Sequence, residues 1–327
     1  MVVSDDVLIS VVIATYNRAE VIGRSVSSVL SQDYRRREVI VVDDGSTDNT
    51  ASVIATFGPD VRFIRQDNRE RAAARNVGLR VSRGELVVFL DSDDEMLPGH
   101  LHALLRALQT RPDAAIAYTE AEFYDDRSRE VFDVYPRRPV EGDALVRSAM
   151  GNFMATGSVM VRRRLLDLVG DFDEDRDLSG SEDWELWTRC LAESPVVFVP
   201  GATVRIHFHD RNTVGDVAAM ERALRSAVGK ILDRHAVRLA PYRRVIHAQS
   251  WSLLAHHYML AHDGPGARSI IYEGIRKEPL VLLQRSFSSM LIKSLLGPRW
   301  VGRMRLVRRR SHLRRKSARE KRHDARP

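Results

Sequence analysis

Two stretches decide the fold: VIVVDDGSTD at residues 39–48 and LVVFLDSDD at residues 86–94. In each, a short apolar run ends abruptly in acidic residues. Such a run is typical of a parallel strand buried on both faces, and charge at its carboxyl end marks the crevice where open α/β sheets bind ligands. A third acidic group, Glu182-Asp183, follows later in the chain. Carboxylates that gather at such an edge indicate a cationic partner.

Strands and helices alternate around these stretches. Apolar periodicity predicts strands at 7–14, 39–43, 61–65 and 86–90, with helices at 19–30, 47–57, 69–82 and after Pro98. Residues 120–150 predict a hairpin or a loop over the crevice. Further segments are predicted as strands at 114–118, 152–162 and 196–200, and as a helix at 183–192. The fold class predicted is α/β, a mostly parallel sheet with helices on both faces.

Composition excludes several classes of protein. The chain has 327 residues, 44% hydrophobic and 29% charged, which suits one large domain with an appendage. The single cysteine, Cys190, excludes an internal disulfide framework and a cysteine-based metal cluster. Residues 1–6 lack the layout of a signal peptide, and polar residues interrupt the most apolar stretch, 280–296. We therefore expect a cytoplasmic protein that does not span a membrane.

The positive charge is concentrated at the end of the chain. Residues 299–327 contain 13 Lys and Arg against two acidic residues, so the remainder carries a net charge of −4. We predict three parts: residues 1–215 as the main domain, 216–298 as a helical extension and 299–327 as a basic tail. Apolar residues 282–296 beside basic residues and Trp300 predict docking on an anionic membrane at the inner face of the plasma membrane. The alternative is that 282–296 packs on the domain and the tail is solvated.

Five motifs carry a resemblance to a known family. IATYNR at 13–18, VVDDGSTD at 41–48, ARNVG at 74–78, DSDD at 91–94 and Glu182-Asp183 occur in the order and at the distances of family 2 glycosyltransferases. The chain resembles that family over about residues 7–210. The resemblance implies a GT-A fold, a nucleotide-diphosphate sugar donor, Mn²⁺ or Mg²⁺ as cofactor, and inversion at the anomeric carbon.

The DSDD motif suits a metal site. A departing diphosphate carries concentrated negative charge, which a divalent cation neutralises. Strand alternation points Asp91 and Asp93 to the same side. The resemblance implies that Asp93 ligates the metal, that Asp91 binds metal or ribose, and that His207 is a further ligand, with His209 as its competitor. The alternative is that the acidic turn merely caps the following helix.

The nucleotide is assigned to other residues by the resemblance. Asp44 is expected to accept a hydrogen bond from the imide of a uracil- or thymine-type base, while the same turn also starts a helix. Glu70 occupies a position where the family usually has Gly, which alters the expected shape of the loop. Five further residues are expected to contact the sugar nucleotide: Thr15, Tyr16, Asn68, Arg75 and Ser92.

The acidic pair at 182–183 is expected to serve the acceptor. An inverting displacement needs a base on the face opposite the leaving group, far from the metal-binding carboxylates. The resemblance implies that Asp183 is this general base and that Glu182 is its orienting or acceptor-binding partner. Without the resemblance, Ser181-Glu182-Asp183 would be interpreted as a helix cap.

These residues together predict a glycosyltransferase that moves one sugar from a UDP- or TDP-type donor to a hydroxyl of a glycan or lipid-linked acceptor. A processive synthase is disfavoured because the chain lacks Gln-x-x-Arg-Trp. A sugar-phosphate nucleotidyltransferase would begin with a Gly-rich phosphate loop, and a dehydrogenase with Gly-x-Gly-x-x-Gly. A non-enzymatic protein that binds membrane or nucleic acid through its tail leaves the ordered carboxylates unexplained, and we expect no nucleic-acid partner.

Overall fold

The computed structural model describes residues 6–136, 138–209 and 216–296. The strands are β1 (Ile9–Thr15), β2 (Arg37–Asp43), β3 (Val61–Arg65), β4 (Leu86–Asp91), β5 (Glu95–Met96), β6 (Ile116–Asp125), β7 (Glu130–Tyr135), β8 (Val159–Arg162) and β9 (Val196–Phe208). The helices are α1 (Ile22–Leu30), α2 (Thr50–Ala55), α3 (Glu70–Val81), α4 (His100–Thr110), α5 (Ala144–Ala149), α6 (Arg163–Val169), α7 (Glu182–Glu193), α8 (Val217–Arg234), α9 (Ala236–Leu239), α10 (Arg243–Leu260), α11 (Gly264–Lys277) and α12 (Arg285–Leu296).

The strands form a mixed, mostly parallel sheet in the order β3-β2-β1-β4-β8-β6-β9-β5, with β7 paired to β6. β1 runs parallel to β2 and to β4, whereas β8 is antiparallel to β4 and to β6. The strand order changes direction beside β1, and ligands bind in open sheets at such a point, outside the carboxyl ends of the strands. In the register there, Thr15 pairs with Asp43 and Ala14 with Asp91. The predicted α/β class is confirmed.

Both faces of the sheet are covered by helices, as the continuous apolar runs predict. Along β1, Val11 and Ile13 belong to one core cluster and Val12 to another. Helix α3 packs tightly on the second face, since a Cβ at Gly78 would lie 2.3 Å from Cγ1 of Val12. This close approach needs glycine, and α3 packs there on β1 and β2.

The region after β4 differs in detail from the prediction. Within 152–162, only β8 is a strand, and residues 152–158 form a loop with one short 3₁₀ turn. The strand predicted at 196–200 continues to Phe208, because its second half pairs with β6 along its length. The predicted hairpin is present as β6 and β7.

The described chain divides into two compact units between Ala240 and Pro241. The extension was expected to begin at residue 216, but α8 packs on α7 and on the turn at 176–178 and so belongs to the first unit. In the second unit α10, α11 and α12 pack together. The basic tail at 299–327, with Trp300, lies outside the described residues. Among the helices that the structure describes, none combines the length and the apolar character needed to cross a membrane.

Candidate active site

A pocket of about 400 Å³ opens at the carboxyl ends of β1, β2 and β4. Most of the residues predicted from the sequence meet in its wall: Thr15, Tyr16, Asp44, Asn68, Arg75, Asp91, Ser92 and Asp93. Three other predicted residues, all within the described chain, are not part of this wall: Glu182, Asp183 and His207. The first two join the pocket through Arg75, whereas His207 has a different environment.

Asp44 lies at one end of the pocket in a cradle of hydrogen-bond donors. Its Oδ1 accepts from the side-chain amide of Gln66 at 2.7 Å and from the backbone N–H of Arg69 at 2.9 Å. Burial raises the pKa of Asp44 above its ordinary value. Gly45 has a φ of 80°, and a Cβ there would lie 3.0 Å from the backbone N of Asn68. Glycine is therefore required where these two segments of the backbone meet. This geometry fixes the Asp44 carboxylate in the wall of the pocket.

The rest of the DDGSTD turn is structural. Asp43 is fully buried and accepts from the backbone N–H of Ser46 at 3.0 Å. Asp48 accepts from the backbone N–H groups of Thr50 and Ala19, at 3.0 and 3.1 Å. One motif therefore supplies both a pocket carboxylate and the start of α2.

Asp93, in the wall of the pocket, lies beside His209, which is not part of that wall. Nε2 of His209 lies 3.1 Å from Oδ2 of Asp93, and Nε of Arg18 lies 3.7 Å from the same oxygen. Asp94 points away from this pair, since its Oδ1 accepts from the backbone N–H of His207 at 3.0 Å. Asp94 thus holds the end of β9, and burial raises its pKa well above the ordinary value.

His207 does not take the position expected of a metal ligand. Its Nδ1 lies 2.5 Å from Oδ1 of Asp126 and its Nε2 lies 2.8 Å from Oε2 of Glu95, so both ring nitrogens already contact carboxylates. The ring is 2% exposed. Residues two apart on a strand point to the same side, so strand alternation cannot decide whether His207 or His209 is the metal ligand. In this structure His207 lies between two carboxylates, whereas His209 lies beside Asp93.

Arg75 is a bridge between two parts of the site. The side chain is 2% exposed, and its Nη2 and Nη1 each lie 2.6 Å from an acidic oxygen, on Asp91 and on Glu182 respectively. The charges of Asp91 and Glu182 raise the pKa of Arg75 despite its burial. Its guanidinium also lies 5.3 Å from the ring centroid of Phe172. Arg75, which was expected to contact the sugar nucleotide, lines the pocket and is held there by this buried ion-pair network.

Glu182 and Asp183 are the first two residues of α7, and their pKa values are shifted in opposite directions. Burial opposes the ionisation of Glu182, but Arg75 and Arg71 outweigh it and hold the pKa of Glu182 below its ordinary value. Burial, reinforced by the neighbouring charge of Glu182, raises the pKa of Asp183 to about 6. Adjacent carboxylates in different environments are the usual means by which one stays ionised while the other exchanges a proton.

Two residues that the sequence did not reveal hold the Asp183 carboxylate. Its Oδ2 accepts from the hydroxyl of Thr156 at 3.0 Å and from the amide of Asn152 at 3.2 Å. Both lie in the loop at 152–158 that was predicted as part of a strand. Helix α7 is fixed by Trp184, whose indole donates to the backbone carbonyl of Ser148 at 2.7 Å. Only the polar character of Asn152 and Thr156 within an apolar stretch hinted at this role.

The pocket offers oxygen and nitrogen ligands for a divalent cation. No ready-made cluster of three His, Cys, Asp or Glu ligands occurs among the described residues. Asp93 and His209 nevertheless present a carboxylate oxygen and an imidazole nitrogen at one point. Mg²⁺ is commonly bound by one or two carboxylates together with substrate phosphates rather than by a complete protein cage. The donor set fits an ion that arrives with a diphosphate.

Comparison with known proteins gives sequence relatives. The family model described as glycosyl transferase family 2 matches residues 10–169. An uncharacterized glycosyltransferase of Rickettsia typhi is 27% identical over 210 residues, which cover 63% of this chain and 65% of the relative, a little under two thirds of its length. The succinoglycan biosynthesis protein ExoO of Rhizobium meliloti is 34% identical over 196 residues, 56% of either chain.

Solved structures show the same architecture. The S. aureus TarS fragment 1–349 in complex with UDP-GlcNAc gives a TM-score of 0.54 at 17% identity, over 84% of this chain and 90% of that one. The mannosyltransferase PcManGT of Pyrobaculum calidifontis in complex with GDP-Man and Mn²⁺ gives 0.53 at 19% identity, over 89% and 87%. These similarities establish a GT-A type fold. The match to the family model, together with sequence relatives that are named glycosyltransferases, shows that the chain belongs to glycosyltransferase family 2.

Proposed function

We propose that the protein transfers a single sugar, with inversion, from a UDP- or TDP-type donor to a hydroxyl of a glycan or lipid-linked acceptor, and that Asp183 is the general base. The observation that carries this proposal is the Asp183 carboxylate at the start of α7, where Thr156 and Asn152 hold its Oδ2 and burial raises its pKa to about 6. A base is most effective when its pKa lies near the working pH, because it is then both ionised and able to take a proton.

The contacts of Asp183 support this role. Thr156 and Asn152 donate to the same oxygen, Oδ2, which orients the carboxylate at the start of α7. In the proposed reaction Asp183 removes the proton of the acceptor hydroxyl as that oxygen attacks the anomeric carbon. Glu182 remains ionised beside Arg75, so its charge helps Asp183 to hold the proton that it has taken.

The donor is proposed to occupy the pocket between Asp44 and Asp93. Asp44 is suited to accept from the imide N–H of a uracil or thymine ring, since its carboxylate is already oriented by Gln66 and Arg69. Asp93 and His209 would hold Mn²⁺ or Mg²⁺, with Asp91 beside them. When bound, such an ion neutralises the charge of the leaving diphosphate. Arg18, near Asp93, adds a positive charge at the same end.

The acceptor is proposed from the relatives. ExoO, by its name, takes part in succinoglycan biosynthesis, which supports a role for this chain in polysaccharide biosynthesis. A glycan hydroxyl, free or on a lipid-linked chain, is the acceptor chemistry that a general-base carboxylate serves.

The test separates chemistry from donor binding. A panel of UDP-, TDP- and GDP-sugars is assayed for transfer with glycan acceptors, and the anomeric configuration of the product is determined by NMR. We expect Asp183→Asn to lower kcat roughly 10²- to 10⁴-fold, the usual contribution of a general base. The variant should bind UDP as the wild type does, since Asp183 lies outside the pocket wall. Transfer that survives unchanged in this variant, or a product of retained configuration, would contradict the proposal.

A further inference from the structure

Glu70 has a backbone conformation that suits glycine. The first residue of α3 has a φ of 73°, in the left-handed region where a side chain is disfavoured. The reason for this conformation lies in the backbone: the N–H groups of Arg69 and Glu70 both hydrogen-bond to the Asp44 carboxylate. Glycine would make the same contacts without strain. The glutamate side chain therefore needs an explanation of its own.

The side chain of Glu70 belongs to the pocket. It lines the wall together with Asn68 and Arg71. Its Oε2 accepts a hydrogen bond from the hydroxyl of Ser179 at 3.2 Å, a contact that spans 109 residues of sequence and reaches the turn just before α7. The carboxylate thus lies between the Asp44 end of the pocket and the loop that leads to Glu182. A neutral hydroxyl is already its partner, and a second hydroxyl could replace or join it.

The charge of Glu70 limits what it can recognise. A sugar nucleotide offers a base, a diphosphate and the hydroxyls of its pentose and hexose. Asp44 is suited to the base, and a carboxylate repels the diphosphate. Hydroxyls remain, and a carboxylate is a strong acceptor for them. Backbone strain that persists in a ligand pocket is commonly retained for such a contact.

We propose that Glu70 is a specificity-determining residue that accepts a hydrogen bond from a sugar hydroxyl of the donor. This inference rests on the proposed function, because it assumes that a sugar nucleotide binds in this pocket. Both the pentose and the transferred hexose carry hydroxyl groups that could donate to Glu70. Ligands that lack one or the other hydroxyl distinguish the two sugars.

The experiment measures equilibrium dissociation constants by calorimetry, in the presence of Mn²⁺, for UDP, 2′-deoxy-UDP, 3′-deoxy-UDP and UDP-glucose. The variants are Glu70→Gln, which removes the charge at constant size, and Glu70→Gly, which removes the side chain and suits the φ angle. If the hydroxyl is on the pentose, the wild type prefers UDP to one deoxy analogue by about tenfold and both variants lose the preference. If it is on the hexose, the wild type prefers UDP-glucose to UDP and both variants lose that preference.

Ser179→Ala is the matched control, since it removes the internal partner of Glu70 and leaves the carboxylate. We expect this variant to keep the wild-type ratios and Glu70→Gly to unfold at or above the wild-type midpoint temperature. Ratios that are equal in wild type and both Glu70 variants would overturn the inference. A Ser179→Ala variant that loses the preference as Glu70→Gly does would also overturn it, because Glu70 would then act by holding the loop. A wild-type protein that does not bind UDP would overturn the proposed donor as well. UDP binding by the wild type therefore distinguishes a failure of the Glu70 inference from a failure of the proposed function.

Discussion

The two halves of the site handle negative charge in opposite ways. On the donor side, Asp91 and Asp93 come from the end of β4 and line an open pocket. On the acceptor side, Glu182 is 2% exposed and burial raises the pKa of its neighbour Asp183 to about 6. Carboxylates that line an open pocket can attract a cation, whereas a carboxylate with a raised pKa can accept a proton near neutrality. Burial and charged neighbours, more than residue type, therefore distinguish these carboxylates.

Arg75 joins the halves, so its removal should have the largest effect. Arg75→Met would leave Glu182 buried without its cation. Loss of one partner of a buried ion pair typically costs about 3 to 5 kcal/mol, because the other charge stays desolvated. We expect urea unfolding to show a loss of free energy of unfolding near the lower value, since Asp91 is partly exposed, and we expect transfer activity to fall with it.

Arg80→Met on the same helix is the matched control. Arg80 pairs with Asp171 at 3.0 Å, but both side chains are about half exposed. Exposed pairs contribute about 0 to 1 kcal/mol, so this variant should unfold almost as the wild type does. Equal stability losses in the two variants would show that the buried bridge has no special role and would weaken the distinction between the two halves.

On the donor side, substitutions of His209 and of His207 should have different effects on Mn²⁺ binding and on stability. His209→Ala should weaken Mn²⁺ binding to the UDP complex by about tenfold, the lower end of the range typical of changes close to a metal, and should leave the unfolding midpoint nearly unchanged. His207→Gln should do the reverse, because its ring contacts Asp126 and Glu95 inside the structure. Titration calorimetry with Mn²⁺ and thermal unfolding measure the two effects. If loss of His207 weakens Mn²⁺ binding while loss of His209 does not, the assignment must be exchanged.

The sequence predicted which strand ends meet at the pocket, because strand ends are set by short-range pattern. Apolar runs followed by acids located β2 and β4, and the parallel register then brings Thr15, Asp43 and Asp91 together. Nothing in such a pattern measures depth, which is why His207 could not be separated from His209. The resemblance implied that Arg75 contacts the sugar nucleotide, but an arginine on a helix gives no sign that two acids from distant segments will enclose it.

The acceptor side was less predictable because its contacts join residues that lie far apart in the sequence. Asn152 and Thr156 reach Asp183 across 31 and 27 residues of sequence, and the loop that carries them has no periodicity. The stretch at 152–162 was predicted as one strand because its apolar content is high, yet only its last four residues pair. The contacts that position a base arise from tertiary packing, which a single sequence does not encode in a readable pattern.

The smallest expected effect tests those contacts directly. Thr156→Val keeps the shape of the side chain and removes the hydroxyl that donates to Oδ2 of Asp183. That hydroxyl favours the ionised carboxylate, so its loss should raise the pKa of Asp183 further above 6. A net hydrogen bond of about 1 kcal/mol corresponds to about 0.7 pH unit. The acidic limb of the profile of kcat/KM against pH should move upward by that amount, so the rate falls most near pH 6 and approaches wild type near pH 8.

Thr156→Ser restores the hydroxyl without the methyl group and should return the profile to its wild-type position. A merely structural role for Thr156 predicts a different result, in which the valine variant lowers the rate by one factor at every pH. A profile that does not move, with unchanged activity at pH 6, would mean that Thr156 does not tune the base. Since UDP binding should be the same in all three proteins, any shift in the profile belongs to the acceptor side alone.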